Sequence, residues 1–161
     1  MSIQRVKEYM SRFGVQDKIM ELEVSSATVE LAAKALGVEP ARIAKTLSFK
    51  IPDEPKCLLV VAAGDVKVDN SKFKHTFGFK AKMLCGDEVE QLTGHKIGGV
   101  CPFANPEGTE VYLDESLKRF DTVFPACGSG NSAIELDMAG LEKLSAAIKW
   151  VDVCKSVVAE N

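Results

Sequence analysis

Residues 45–64 read KTLSFKIPDEPKCLLVVAAG. The first seven alternate, so that Leu47, Phe49 and Ile51 share one side of an extended chain, and Lys45 has the same parity. PDEP is turn chemistry. From Cys57 to Gly64 the run is apolar without a break, the pattern of a strand covered on both faces. An alternating strand, a turn and a buried strand predict a sheet inside a layered fold. They also place an ammonium on an apolar face. A buried, unpaired lysine is costly. Lys45 is therefore expected at the sheet's edge, opening into a cleft, with snorkelling past the core as the alternative.

Outward from this stretch the elements are short. Ile3, Val6, Met10 and Phe13 fall on one side of a helix over 3–13. Residues 19–24, IMELEV, alternate as a strand. SSATVELAAKALG predicts a helix capped by Ser25 or Ser26 and stopped by Gly37, and Pro40 opens a short helical turn. Asp69 or Asn70 caps a helix through Phe77, FKAKML (79–84) is expected as a strand, and DEVEQLTG (87–94) as a helix closed by Gly94. Strands follow at 109–113, 121–126 and 132–136. A helix capped by Asp137 runs through Ala147, and 148–153 is a last strand. No repeat or linker interrupts them. The expected fold is α+β: a single domain over residues 1–161, core about 20–154, with a mixed, barrel-like sheet and short flanking helices.

The 161 residues carry a net charge of −3, with 46% hydrophobic and 27% charged side chains. That balance suits one globular core and gives no strong field toward DNA or an anionic membrane. No apolar run approaches the roughly 20 residues of a membrane span, and the first residues do not form a signal peptide. The five cysteines are odd in number and widely spaced, as expected of free thiols in a reducing cytoplasm. They share no metal-ligand spacing with His75 and His95, so no zinc site is expected.

Three stretches could carry chemistry besides Lys45. GHKIGGVCPF (94–103) bares its backbone at Gly98 and Gly99 beside Cys101. Glycines let a ligand approach main-chain N–H groups, which can hold a carbonyl oxygen or oxyanion; the alternative is a bulge or corner. ACGSGNSAIEL (126–136) fits neither a dinucleotide fingerprint nor a P-loop, and reads alone as a turn. Cys101 has no base partner in the sequence pattern, since His95, six residues away, implies no proximity, so a structural thiol is the better reading. Asp65, Asp69, Asp114 and Asp137 fit turns and caps. Residues 67–82 hold five lysines against one acid, a solvated face or a phosphate contact.

Five segments in order resemble the YbaK/ProX family of aminoacyl-tRNA deacylases, whose relatives include the editing domain of bacterial prolyl-tRNA synthetases. They are TVELAAKALGVEPARIAKTLSFK, LLVVAAGDVKVDNSKF, LTGHKIGGVCPF, VYLDESLKRFDTVFPACGSGNSAIEL and LEKLSAAIKWVDV. The resemblance implies hydrolysis of the ester of mischarged tRNA, with no metal or cofactor. The first expectation is tRNA(Pro) carrying a small residue such as cysteine or alanine; the alternative is a non-catalytic binding or synthetase-associated module of the same fold. It implies catalytic roles for Lys45 and Gly99, and substrate contacts at Thr46, Gly98, Val100, Cys101, Pro102, Gly128, Ser129, Gly130, Asn131 and Ser132. The implied partners are the acceptor end of aminoacyl-tRNA and a synthetase. The pattern departs from the family at Cys101, Ala104 and GSGNSA, so neither the cysteine-clearing nor the alanine-clearing branch is matched.

Overall fold

A computed structural model describes residues 2–157. Its first helix, α1 (Ser2–Ser11), buries Val6 and Met10, one turn apart. The expected strand at 19–24 is shortened to β1 (Met20–Glu21), and Val24 lies 59% exposed. Helix α2 (Val29–Leu36) begins at Thr28, whose hydroxyl accepts the Leu31 N–H, and ends at Gly37 in the left-handed conformation. The cap is thus Thr28, not Ser25 or Ser26. Such a cap contributes about 1 kcal/mol.

β2 (Ile43–Lys50) and β3 (Cys57–Ala63) form the antiparallel centre of the sheet, with Lys45 opposite Ala62 and Lys50 opposite Cys57. Every residue of β3 is buried, as its unbroken apolar run requires. β4 (Val66–Val68) follows. Asp69 caps α3 (Asn70–Phe77) by accepting the Lys72 N–H. Residues 79–84 do not form the expected strand: only Met83 bridges, to Phe49. Helix α4 (Asp87–Thr93) closes at Gly94.

β5 (Glu110–Asp114) and β6 (Thr122–Pro125) run parallel to β3 and β2 respectively. The expected strand at 132–136 is two short pieces, β7 (Ser132–Ala133) and β8 (Leu136–Asp137). Asp137 caps α5 (Met138–Ser145) through the Gly140 N–H. β9 (Lys149–Val151) completes a six-stranded sheet in the order β8-β6-β2-β3-β5-β9. β10 (Cys154–Ser156), which the sequence pattern does not predict, pairs with β4, and β7 pairs with β1.

The fold is α+β, its mixed sheet curled into half a barrel with five helices around it. Phe73 of α3 packs on Phe49 of β2 at 4.8 Å between ring centres and on Phe77 at 4.7 Å, and Phe77 meets Tyr112 of β5. Each such pair adds about 1 kcal/mol beyond area burial. Asp114 accepts the Ser116 and Val153 N–H groups, both at 3.0 Å, locking the chain around the end of β5. The turn and capping roles expected of Asp69, Asp114 and Asp137 are what these carboxylates do.

Candidate active site

β2 is covered on one edge by β3 from Ala44 to Lys50, but on the other edge only at its ends. Ile43 and Ala44 pair with β6. Ser48 and Lys50 bond to residues 82–84, through Leu84 N–H to Ser48 C=O at 3.1 Å and Lys50 N–H to Lys82 C=O at 2.8 Å. Between these lies a cleft of about 540 Å³. One wall is Ser26–Val29 and Ala32, continuing into Phe124 and Ala126 of the sheet; the other is Met83–Gly86 with Val89. Ile97, Gly98 and Val100 complete the mouth, where Ile97 is 72% exposed and Met83 53%. The size suits a small-molecule end group.

Among the described residues, Lys45 is the only charged side chain lining this cleft, and no carboxylate or imidazole joins it. It lies at a gap in the sheet's edge, where its parity predicted. Its ammonium donates to the carbonyls of Val66 and Gly64. Burial pushes its pKa below the usual 10.5, a shift that Cys154, Asp65 and Glu30 partly offset. An ammonium has three protons, so two carbonyl partners leave one for a ligand. Asp65 itself is held by Arg119 in a forked pair at 2.6 and 3.0 Å. Thr46, next along β2, has the only buried side-chain N or O without a partner among the described residues, its Oγ1.

The glycine loop has a different geometry from the one expected of it. Residues 96–99 form a tight turn in which the Gly99 N–H donates to the Lys96 carbonyl at 2.9 Å. Gly98 sits third in that turn at φ +96°, a conformation that demands glycine. Gly99 is buried, and a Cβ there would lie 2.8 Å from Gly128 C and Ser129 N. Its missing side chain lets two loops touch backbone to backbone. The Gly99 N–H is therefore committed. Among the described residues, the N–H groups of Gly98 and Val100, both at the cleft, have no protein acceptor.

Cys101 is fully buried and does not line the cleft. His95, which the chain spacing left remote, is in contact with it: Sγ lies 3.4 Å from Nε2. The expectation of no neighbouring base is corrected, yet the pair cannot work as nucleophile and base. Nε2 donates to the Phe103 carbonyl at 2.8 Å and Nδ1 accepts from the Ser2 hydroxyl. The nitrogen facing the thiol already carries its proton. Burial raises the Cys101 pKa to about 12 and lowers that of His95.

Pro102 is buried and borders a separate hollow with Arg5 and Tyr9. Of the second stretch, Ala126, Ser132 and Ala133 reach the cleft, while Gly128–Asn131 do not line it. Gly128, at φ +96°, packs on Val6 and Ser2 of α1. Ser129 bonds to Asn131 and Ser132. The Gly130 carbonyl accepts the Ser26 N–H at 2.7 Å, and Asn131 holds Leu22 from both sides. This loop positions residues 22–26, and through them one wall of the cleft. The structure thus brings Lys45, Thr46, Gly98, Val100 and Ser132 together and leaves Gly99, Cys101, Pro102 and Gly128–Asn131 behind them. The apolar walls at Val29, Ala32, Phe124, Met83 and Ile97 carry no sequence signal beyond hydrophobicity.

Residues 23–144 match the aminoacyl-tRNA editing domain. The Bacillus subtilis (strain 168) protein YwhH, itself uncharacterized, is 54% identical over 155 residues, 96% of this chain and 98% of its own. EbsC of Enterococcus faecalis, named as a candidate Cys-tRNA(Pro)/Cys-tRNA(Cys) deacylase, is 28% identical over 110 residues, 68% of this chain and 66% of its own. The proline–tRNA ligase of Aquifex aeolicus is 35% identical over 91 residues, which are 56% of this chain but 16% of the ligase. A solved structure described as a candidate trans-editing enzyme for prolyl tRNA synthetase superposes with a TM-score of 0.85 at 29% identity, covering 96% of this chain and 98% of its own. With a match across the sheet, the cleft and both glycine loops, the chain belongs to the aminoacyl-tRNA editing domain family.

Proposed function

We propose that the protein hydrolyses the ester of mischarged tRNA in trans, with tRNA(Pro) bearing a small amino acid as its substrate. The observation that carries this is the composition of the cleft: among the described residues it holds one lysine, unpaired main-chain N–H groups, hydroxyls and the Cys85 thiol, with no carboxylate or imidazole to act as a base or activate a nucleophile. Such a site is too poor in proton-transfer groups to break an amide. An aminoacyl ester is already activated and needs less. Water adds to the acyl carbon, the carbonyl electrons move to oxygen, and collapse expels the ribose oxygen, which takes up the water's proton. Lys45 and main-chain N–H groups stabilise the charge on the acyl oxygen. The neighbouring ribose hydroxyl orients the water.

The tRNA(Pro) assignment draws on the proline–tRNA ligases and the EbsC name among its relatives. It has a physical rationale. A synthetase pocket built for proline rejects a residue smaller by one methylene by only about 1–3 kcal/mol. A second site bounded by Val29, Ala32 and Phe124 excludes by clash what is too large, which is the stronger filter. The acceptor end is the ligand, the cytoplasm the site of action, and a synthetase the source of substrate. The test is a panel of tRNA(Pro) charged with alanine, cysteine, serine and proline. Hydrolysis of the small residues above buffer, with prolyl-tRNA spared, is expected. Binding without turnover of any of them would make the protein a sensor or adaptor. Equal rates for alanine and proline would refute the size filter.

A further inference from the structure

The gap in the sheet leaves one residue of β2 whose main-chain groups meet no neighbour on the edge away from β3. Ser48 and Lys50 use their main-chain groups toward residues 82–84, and alternate residues of a strand address the same edge. Thr46 has this parity. On that edge β6 reaches only Ala44. Thr46 therefore turns its N–H and C=O into the cleft, midway along a stretch from Ala44 to Ser48 of roughly 14 Å at about 3.4 Å per residue. Its hydroxyl, buried and without a partner, lies in the same place. An unmade hydrogen bond on a buried polar group is costly, and here three groups of one residue lack strand or side-chain partners.

We infer that the aminoacyl group docks on Thr46 as a one-residue strand, an inference that rests on the deacylase reading. An aminoacyl ester carries N–Cα–C=O in the order of a peptide residue. Laid antiparallel beside β2, its α-ammonium donates to the Thr46 carbonyl and its acyl oxygen accepts from the Thr46 N–H. The pair reproduces the double hydrogen bond of an antiparallel sheet. The Thr46 amide thereby supplies the donor that Gly99, tied to Lys96, cannot. The Thr46 hydroxyl is left to meet the ribose. This mode of recognition reads what all amino acids share and leaves the side chain to the apolar wall, as a filter of side-chain size requires.

The test replaces the N–H itself. Thr46 is exchanged for its α-hydroxy acid, which turns the Lys45–Thr46 amide into an ester, and the same exchange at Leu58 of β3, away from the cleft, is the control. At Thr46 the deacylation rate should fall about 10²-fold or more, with melting lowered no further than in the control, since the only strand bond affected is the one the Lys45 carbonyl accepts from β3. At Leu58, whose parity turns its N–H toward Phe49 of β2, melting should fall by about 2–4 °C and the rate should stay within about threefold. A Thr46 ester as active as the unmodified protein overturns the inference and leaves deacylation standing. A second measurement needs no altered chain: amide exchange in the unmodified protein with 3′-alanylamido-3′-deoxyadenosine, a stable amide with the same N–Cα–C=O unit. Protection of the Thr46 amide, with Leu47 unaffected, supports the docking even if no tRNA is turned over. Absence of protection at saturation, or no binding at millimolar analogue, overturns it.

Discussion

Two polar groups in this molecule could be taken for chemistry, and they differ in how complete they are. His95, Cys101, Ser2 and the Phe103 carbonyl form a closed set: His95 and Cys101 are fully buried and each ring nitrogen has a partner. Lys45 and Thr46 form an open set, with a lysine beside a gap in the sheet and a buried hydroxyl without a partner. The first contains the more reactive residue types. The second contains unmet hydrogen-bonding capacity. A finished network rigidifies a fold, and an unfinished one at a cleft is where a ligand gains binding energy. In this fold the thiol and imidazole tie residues 95–103 together and to Ser2 of α1.

Gly99 joins the two regions, and pressing on it gives the largest expected effect on stability. Gly99→Ala places a Cβ 2.8 Å from Gly128 C and Ser129 N, backbone atoms that cannot swing aside. Overpacking of this kind costs about 2 kcal/mol. Urea unfolding should register that loss, and the deacylation rate should fall with the displaced loop. Wild-type stability in this variant would mean that the loops are not held in contact.

Alkaline pH separates the regions by readout. Cys57 and Cys101 have pKa values raised by burial to about 11 and about 12, against an ordinary 9.0. Their neutral forms contribute stability that is complete below pH 9 and lost as pH rises toward those values. Lys45 is shifted the other way. Its ammonium titrates below 10.5, so the rate should fall along a limb that begins below the normal lysine range. Cys101→Ser should reduce the alkaline loss of stability and leave the rate limb in place. A rate limb that moves with the cysteine would contradict the separation.

The smallest expected effect is on tRNA affinity. Of the lysines in 67–82, Lys72 is engaged with Asp152 at 3.1 Å and with the Cys154 carbonyl. Lys80 and Lys82 are exposed, and Lys82 precedes Met83 at the mouth of the cleft. With two or three phosphate contacts, log K against log salt should have a slope of about −2. Lys82→Ala should reduce it by about 0.7. An unchanged slope would remove Lys82 from the interface.

Much of this was legible in the sequence wherever a residue's role depends on its neighbours along the chain. The parity of Lys45, the caps at Asp69 and Asp137 and the stop at Gly37 are local facts, and the structure keeps them. Residues 79–84 alternate like a strand yet make a single bridge, because only two of their hydrogen bonds find β2 before the chain turns at Gly86. The contact of His95 with Cys101 and the clamp of Asn131 on Leu22 come from tertiary packing that spacing does not encode. The vacancy opposite Thr46 is set by where β6 stops and where residue 84 begins, so no property of Thr46 itself announces it.

The central claim is that the open set, not the closed one, works on the ester. The direct measurement is single-turnover hydrolysis of alanyl-tRNA(Pro) by Lys45→Ala and Cys101→Ser side by side with the wild type, all confirmed folded. The account predicts a loss of roughly 10²–10³-fold for Lys45→Ala and a rate within about threefold of wild type for Cys101→Ser, since a buried thiol with a pKa of about 12 is no nucleophile at neutral pH. Abolished turnover in Cys101→Ser with a near-normal rate in Lys45→Ala would contradict it.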